Sequence, residues 1–167
     1  TIVDPSPAPQ VGLAKQLAQL LDNGDGTWTA TFVFNVENLG NEPLANVQIA
    51  DVLSASPNDF PAGSTGTVVA VTNLTANAFY DGSAANGNLL VGDDVLLVGG
   101  SGSVTVDVVF APDNNAPYNN QAAASGTGTQ SGEPTSDLSD DGAEPDADGD
   151  NNPNEVDEND PTPVNPV

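Results

Sequence analysis

The sequence predicts an all-β protein: an antiparallel β-sandwich of about seven strands, followed by an irregular acidic segment. Three observations carry this. Short apolar runs with period-two alternation recur between clusters of Gly, Asn, Asp and Pro. Val, Thr and Phe recur in those runs, and such side chains suit a half-buried pleated surface. After Gly128 the apolar pattern stops, and half of the chain's acidic residues crowd into what remains.

Residues 1–10, TIVDPSPAPQ, place Pro5, Pro7 and Pro9 among small residues and read as an extended linker. The run VGLAKQLAQLLD (11–22) has Leu13, Leu17, Leu20 and Leu21 at helical spacing. It is followed by Asn23-Gly24-Asp25-Gly26 and then by TWTATFVFNVEN, which alternates cleanly with Trp28, Ala30, Phe32, Phe34 and Val36 on one face. Asn-Gly and Asp-Gly both accept positive φ, so the pair of runs reads as a hairpin and the first run as a strand. Residues 39–43 form a turn, and 44–53 the next strand with Val47, Ile49 and Leu53 inward. A loop at 54–66 contains Pro57 and Pro61, and TVVAVTNL (67–74) is a strand. Residues 75–88 are a polar connection anchored by Phe79 and Tyr80. Short strands at 89–98 flank Gly92-Asp93-Asp94, and 99–102 turn the chain. In SVTVDVVF (103–110), Val104, Val106, Val108 and Phe110 share one face. After a loop at 111–117, residues 118–127 form the last strand, with small side chains suited to close sheet contact. The organisation expected is a linker at 1–10, a sandwich at 11–128, an acidic segment at 129–161 and a second linker at 162–167.

Composition narrows the chemistry. The net charge of the 167-residue chain is −23, and Lys15 is its one basic side chain. Nucleic acid and anionic membrane surfaces are therefore repelled. There is no Cys and no His, which removes disulfides, thiolate nucleophiles, Cys zinc sites and the commonest general base. The adjacent carboxylates of Asp93 and Asp94 point to opposite faces of a strand, so no catalytic set assembles and an enzyme is not expected. No apolar run reaches membrane-spanning length, so no membrane insertion is expected. No leader opens the chain and both ends are Pro-rich, which suggests one piece of a longer extracellular, cell-surface polypeptide.

Glu133, Asp137, Asp140, Asp141, Glu144, Asp146, Asp148, Asp150, Glu155, Asp157, Glu158 and Asp160 lie together with no cationic side chain among them. Like charges at that density repel unless something positive joins them. Short Asp side chains separated by Gly and Asn supply hard oxygen ligands, which calcium takes. In the first of two frames, Asp137-x-Ser139-x-Asp141-Gly142 sets oxygens at positions 1, 3 and 5 of a loop with Gly at 6, Ala143 offering its carbonyl and Asp148 at 12. In the second, Asp146-x-Asp148-x-Asp150 repeats the pattern with Asn151 in the Gly position, Asn152 next and Asp157 at 12. Asp140, Glu155, Glu158 and Asp160 complete the expected ligands. The frames overlap, so shared carboxylates and more than one calcium ion are expected. The ordinary alternative is a disordered acidic tail, but a tail has no need of such phasing.

The stretch VGLAKQLAQLLDNGDGTWTATFVFNVENLGNEPLANVQIADVL, with its NGDGT-W-T hairpin and VQIADVL strand, resembles the conserved-repeat Ig-like domain of large bacterial and archaeal surface proteins. The tail DLSDDGAEPDADGDNNPNE resembles the acidic end of such repeats and is similar to thrombospondin-type-3 calcium repeats. The resemblance implies an Ig-like Greek-key sandwich, repeated in tandem, in adhesins, stalks or filaments. Some surface Ig-like domains carry an intramolecular isopeptide bond. Lys15 with Asn119 or Asn120 could form one beside an acid such as Glu37, whereas the ordinary reading is an exposed or snorkelling lysine.

The function expected is a structural repeat of an extracellular filament, stalk or adhesin. Calcium on the acidic segment rigidifies it, and neighbouring copies assemble head to tail, with TIVDP as a candidate for strand addition. The alternative is an adhesion module that binds a surface glycan or protein through loops 54–66 and 79–88. Asn73-Leu74-Thr75 matches a glycosylation acceptor.

Overall fold

A computed structural model describes residues 3–55 and 60–167. It is all-β, with three sheets around one apolar core. The first sheet begins as the expected hairpin. Strand β1 (Val11–Asp22) and strand β2 (Trp28–Asn38) pair along their full lengths, from Val11 opposite Asn38 to Asp22 opposite Trp28. Gly24 and Gly26 take φ of 77° and 91° in the connecting turn, a region closed to most side chains. The helical spacing of the β1 leucines has a strand explanation. The register shifts between Leu17 and Gln19, so Ala18 is an extra residue. That bulge returns Leu20 to the face that already carries Leu13 and Leu17, and Leu17 and Leu20 both pack on the core.

Strand β3 (Leu44–Ala50) starts the second sheet, while β4 (Thr65–Thr72) joins the first. Strand β5 (Asp94–Leu96) pairs with β3. Strand β6 (Ser101–Phe110) lies between β2 and β4 and buries Val104, Val106, Val108 and Phe110 as its alternation requires. The stretch expected as one last strand is two. Strand β7 (Tyr118–Asn120) and strand β8 (Ala123–Gly128) belong to different sheets, with Gln121 and Ala122 between them. Between them, the side-chain amide of Gln121 donates to Asn159 O at 2.6 Å. Of the two aromatic anchors expected in the 75–88 connection, only Tyr80 is buried, filling the space over Gly66; Phe79 is 79 % exposed. Pro57 and the Thr1-Ile2 part of TIVDP lie outside the described residues.

The acidic segment is partly woven into the sandwich. Strand β9 (Pro134–Leu138) pairs with β8, and β10 (Asp140–Asp141) runs parallel to β1. Strand β11 (Thr162–Val164) pairs with β7 in the third, small sheet. The sheet orders are β10-β1-β2-β6-β4, β5-β3-β8-β9 and β11-β7. Inward residues of the first two sheets, among them Phe32, Phe34, Val47 and Ile49, share the core. Phe60, Phe110 and Tyr118 close one end of it, with ring centroids 5.1 to 5.6 Å apart.

The paths of entry and exit matter for function. The chain enters at Val11, opposite Asn38. It leaves through Val164, opposite Tyr118, whose ring meets Phe110; Phe110 faces Trp28, which faces Asp22. Thr162 Oγ1 donates to Lys15 O at 2.7 Å, so the last strand runs beside β1 with its Val164 end directed away from Val11.

Candidate metal centre

Residues 142–161 leave β10 and fold back over the start of β1 and the end of β2. Asn35 Nδ2 donates to Ala143 O at 2.8 Å. Pro145 and Pro153 cover Gly12, where a Cβ would meet Leu39 at 2.7 Å and Pro145 at 2.9 Å. Glycine at position 12 is what lets the acidic loop lie against the strand. Pro145 and Pro153 serve as the loop's apolar feet.

Within the loop the chain wraps around its own carboxylates. Asp146 accepts from the amides of Gly149, Asp150 and Asn151 at 3.0, 3.2 and 2.9 Å. Asp148 accepts from Asp150 N at 3.0 Å, and Asp150 from Asn152 N at 2.7 Å. Asn151 stands where a Gly was expected and takes φ 65°, which Asn tolerates better than most side chains. The result is two overlapping carboxylate clusters. Oxygens of Asp146, Asp148 and Glu158 lie within 4.8 Å of one another, as do oxygens of Asp148, Asp150 and Glu155. Asp148 belongs to both.

These groups fit a hard divalent cation. Two oxygens bound to one calcium at about 2.3–2.6 Å stand no more than about 5 Å apart, the spacing found here. Glu158 gives a second reason. It is 3 % exposed, and its Oε1 accepts from Ala147 N at 2.7 Å. Its Oε2 is buried with no hydrogen-bond partner. A buried carboxylate oxygen facing other carboxylates is costly unless a cation completes it.

The titration of the surroundings points the same way. Burial pushes Asp137 up to about 7, with the charges of Glu158 and Asp140 adding to it. Burial also raises Asp140, helped by Asp160 and Glu158, and raises Glu37, helped by Glu144 and Asp146. Glu155 is raised chiefly by the charge of Asp150. Burial is the larger cause for Asp137, Asp140 and Glu37, and neighbouring negative charge adds to each.

The first frame is arranged differently from the second. Asp137 sits in β9 and accepts from Leu13 N at 2.7 Å, and Ser139 Oγ accepts from Ala122 N at 3.0 Å. Asp140 and Asp141 are β10, opposite Ala14 and Lys15. Asp137 and Ser139 turn inward, and the alternation breaks between the two strands, so that Asp140 is also buried and Asp141 is exposed. Asp137 and Asp140 lie near Glu158, whose charge acts on both. Extended pairing with β1 has won over the loop that DxSxDG spacing suggests. In the second frame Asp157 is exposed, and Glu158, at the end of a single 3-10 turn (Val156–Glu158), reaches the cluster instead. That turn advances the chain by one residue relative to an uninterrupted twelve-residue loop. Asn152 Nδ2 donates to Glu155 at 3.3 Å, and Asp160 lies beside Asp140.

Lys15 and Asn120 are fully buried, and Asn119 is exposed. Lys15 Nζ lies 2.7 Å from Asp51 Oδ2, and Asn120 Nδ2 donates to Asp51 Oδ1 at 3.1 Å. Glu37 is half-buried beside the acidic loop and is not the acid at this site. Asp51 was the residue that sequence reasoning missed. The signal was present: Val47, Ile49 and Asp51 continue one alternation, which points Asp51 into the core. Asp94, one of the adjacent pair, is held by Thr75 N at 2.8 Å and Thr75 Oγ1 at 2.9 Å. No helix among the described residues is long and apolar enough to cross a membrane.

No family model matches the chain, and no curated protein matches it. Among solved structures it is similar to an inactive mutant of the GH20 exo-β-N-acetylglucosaminidase from Vibrio harveyi, at 10 % identity and a TM-score of 0.40. That likeness covers 79 % of this chain and 18 % of the glycosidase. A likeness this distant carries no argument about function.

Proposed function

We propose that this chain is a structural repeat of an extracellular filament, stalk or adhesin, stiffened by calcium. The observation that carries the reading is the pair of carboxylate clusters sharing Asp148, with Glu158 buried and half-partnered beside them. Calcium there would join the loop at 146–158 to itself and, through Pro145 and Pro153, to the entry end of β1. The described part of the entering linker is already tied at that end. Leu39 N and Gly40 N donate to Gln10 O, and Asn41 N to Ala8 O. A last strand that runs beside β1 with its Val164 end directed away from Val11 suits a linear, head-to-tail series, and an Ig-like sandwich is a natural unit for one. Two ions about one shared carboxylate would turn a repelling loop into a rigid collar at the joint with the preceding unit.

The test is calorimetric calcium titration of the whole chain beside Asp148→Asn. The wild type is expected to bind more than one ion. The variant, which weakens both clusters at once, is expected to lose affinity by at least about tenfold with the sandwich intact by circular dichroism. Equal isotherms for the two proteins would overturn the assignment.

A further inference from the structure

We propose that Lys15 and Asn120 become joined by an amide bond, with Asp51 carrying the protons. The chain has one basic residue, and on a surface of net charge −23 it would be attracted almost anywhere. Instead Lys15 takes an inward position of β1, between Leu13 and Leu17, fully buried. Its Nζ stands 4.1 Å from the ring centroid of Phe32 and 4.8 Å from that of Phe34. Burial pushes its ammonium below the ordinary lysine range, with Asp51 opposing. An amine in such a place is readily stripped of its proton, and the neutral amine is a nucleophile.

The electrophile is beside it. Asp51 holds Lys15 Nζ on one carboxylate oxygen and the Asn120 carboxamide on the other. Asn120 Oδ1 is buried without a hydrogen-bond partner. No solvent reaches these three side chains, so nothing hydrates the amine or the carboxamide. Lys15 gives a proton to Asp51. The carboxamide then turns end for end, so that Oδ1 accepts from the protonated Asp51 and its carbon is polarised. Nζ attacks Cγ of Asn120, the new Nζ–Cγ bond forms, and the carbonyl is regained as the Cγ–Nδ2 bond breaks. Nδ2 leaves as ammonia, taking the second proton of the attacking nitrogen. Asp51 returns to carboxylate by passing its own proton to that ammonia, which departs as ammonium. Atoms and charge balance, and no oxidant or reductant enters.

The bond would tie β1 in the first sheet to β7 in the small third sheet, next to the strand through which the chain exits. Tension between successive units would then run from the first strand to the last pair through a covalent link.

Intact mass of the whole chain reads the step directly. The wild type is expected to fall short of its sequence mass by one ammonia, and Lys15→Met and Asp51→Asn to show their full masses. Trypsin adds a readout independent of variant folding. Lys15 is the sole tryptic site, so the denatured wild type is expected to resist cleavage. A wild type of full mass that trypsin cuts after denaturation would overturn the proposal. Loss of water instead of ammonia would place the bond on Asp51 and overturn the role of Asn120. Loss of ammonia persisting in Asp51→Asn would overturn the role of Asp51.

Discussion

Asp51→Ala is expected to be the most damaging single substitution in the sandwich. Lys15 and Asp51 are both completely enclosed, and the Nζ–Oδ2 distance is 2.7 Å. Removing the carboxylate strands a lysine in an apolar core and leaves the Asn120 carboxamide without its acceptor. Breaking a buried pair from one side costs about 3–5 kcal/mol. For a chain of this size that corresponds to a fall in Tm of about 6–20 °C. Removing both charges, as Lys15→Met with Asp51→Val, spares the stranded ammonium and is expected to recover much of a purely electrostatic loss. A cross-link closing a loop of about 100 residues stabilises by a similar amount, roughly 4–5 kcal/mol. If the amide bond forms, the double variant therefore stays well below wild type in thermal unfolding. Recovery to wild-type Tm would show that only the ion pair contributes.

The second large effect is expected from calcium. An ion at 100 times its dissociation constant stabilises the folded state by about 2.7 kcal/mol, and two ions by about 5 kcal/mol. That raises Tm by about 10–20 °C over chelated protein. The pH dependence is expected to differ between the two conditions. In chelator, Asp137 is raised from 3.8 to about 7 by burial and by neighbouring charge. The folded chain therefore binds more protons than the unfolded one across that window, and stability falls as pH rises from about 4 to about 7. Calcium favours the ionised carboxylates, and protons compete with it for the same oxygens. Chelated protein should thus melt higher at pH 5 than at pH 7.5, and calcium should raise Tm more at pH 7.5 than at pH 5. Parallel pH profiles in the two conditions would contradict this account.

The alternating strands around Phe32 and Val106 were legible because burial on one face writes itself into a period of two. The β1 leucines were ambiguous because a bulge at Ala18 converts strand spacing into something close to helical spacing. The second carboxylate frame was legible as a run of alternate acids, but the residue that closes the cluster was not. Whether Asp157 or Glu158 turns inward depends on the short 3-10 turn, which the sequence spacing does not reveal. The first frame misled for a related reason. Alternation at Asp137, Ser139 and Asp141 suits a metal loop and a strand equally, and an open edge of β1 was there to pair with. Lys15 and Asn120 were legible as residue types and Asp51 as the inward position after Val47 and Ile49, but their meeting was not, because it takes three sheets to bring these distant segments together.

Amide hydrogen exchange across residues 147–152, in calcium and in chelator at neutral pH, tests most directly whether the acidic loop folds around metal. Those amides bond the carboxylates of Asp146, Asp148, Asp150 and Glu158, so they report the loop alone. Strong protection in calcium and near-random exchange in chelator, with β2 and β6 protected in both, is the expected result. Equal protection of the loop in the two conditions would contradict the claim that calcium orders it.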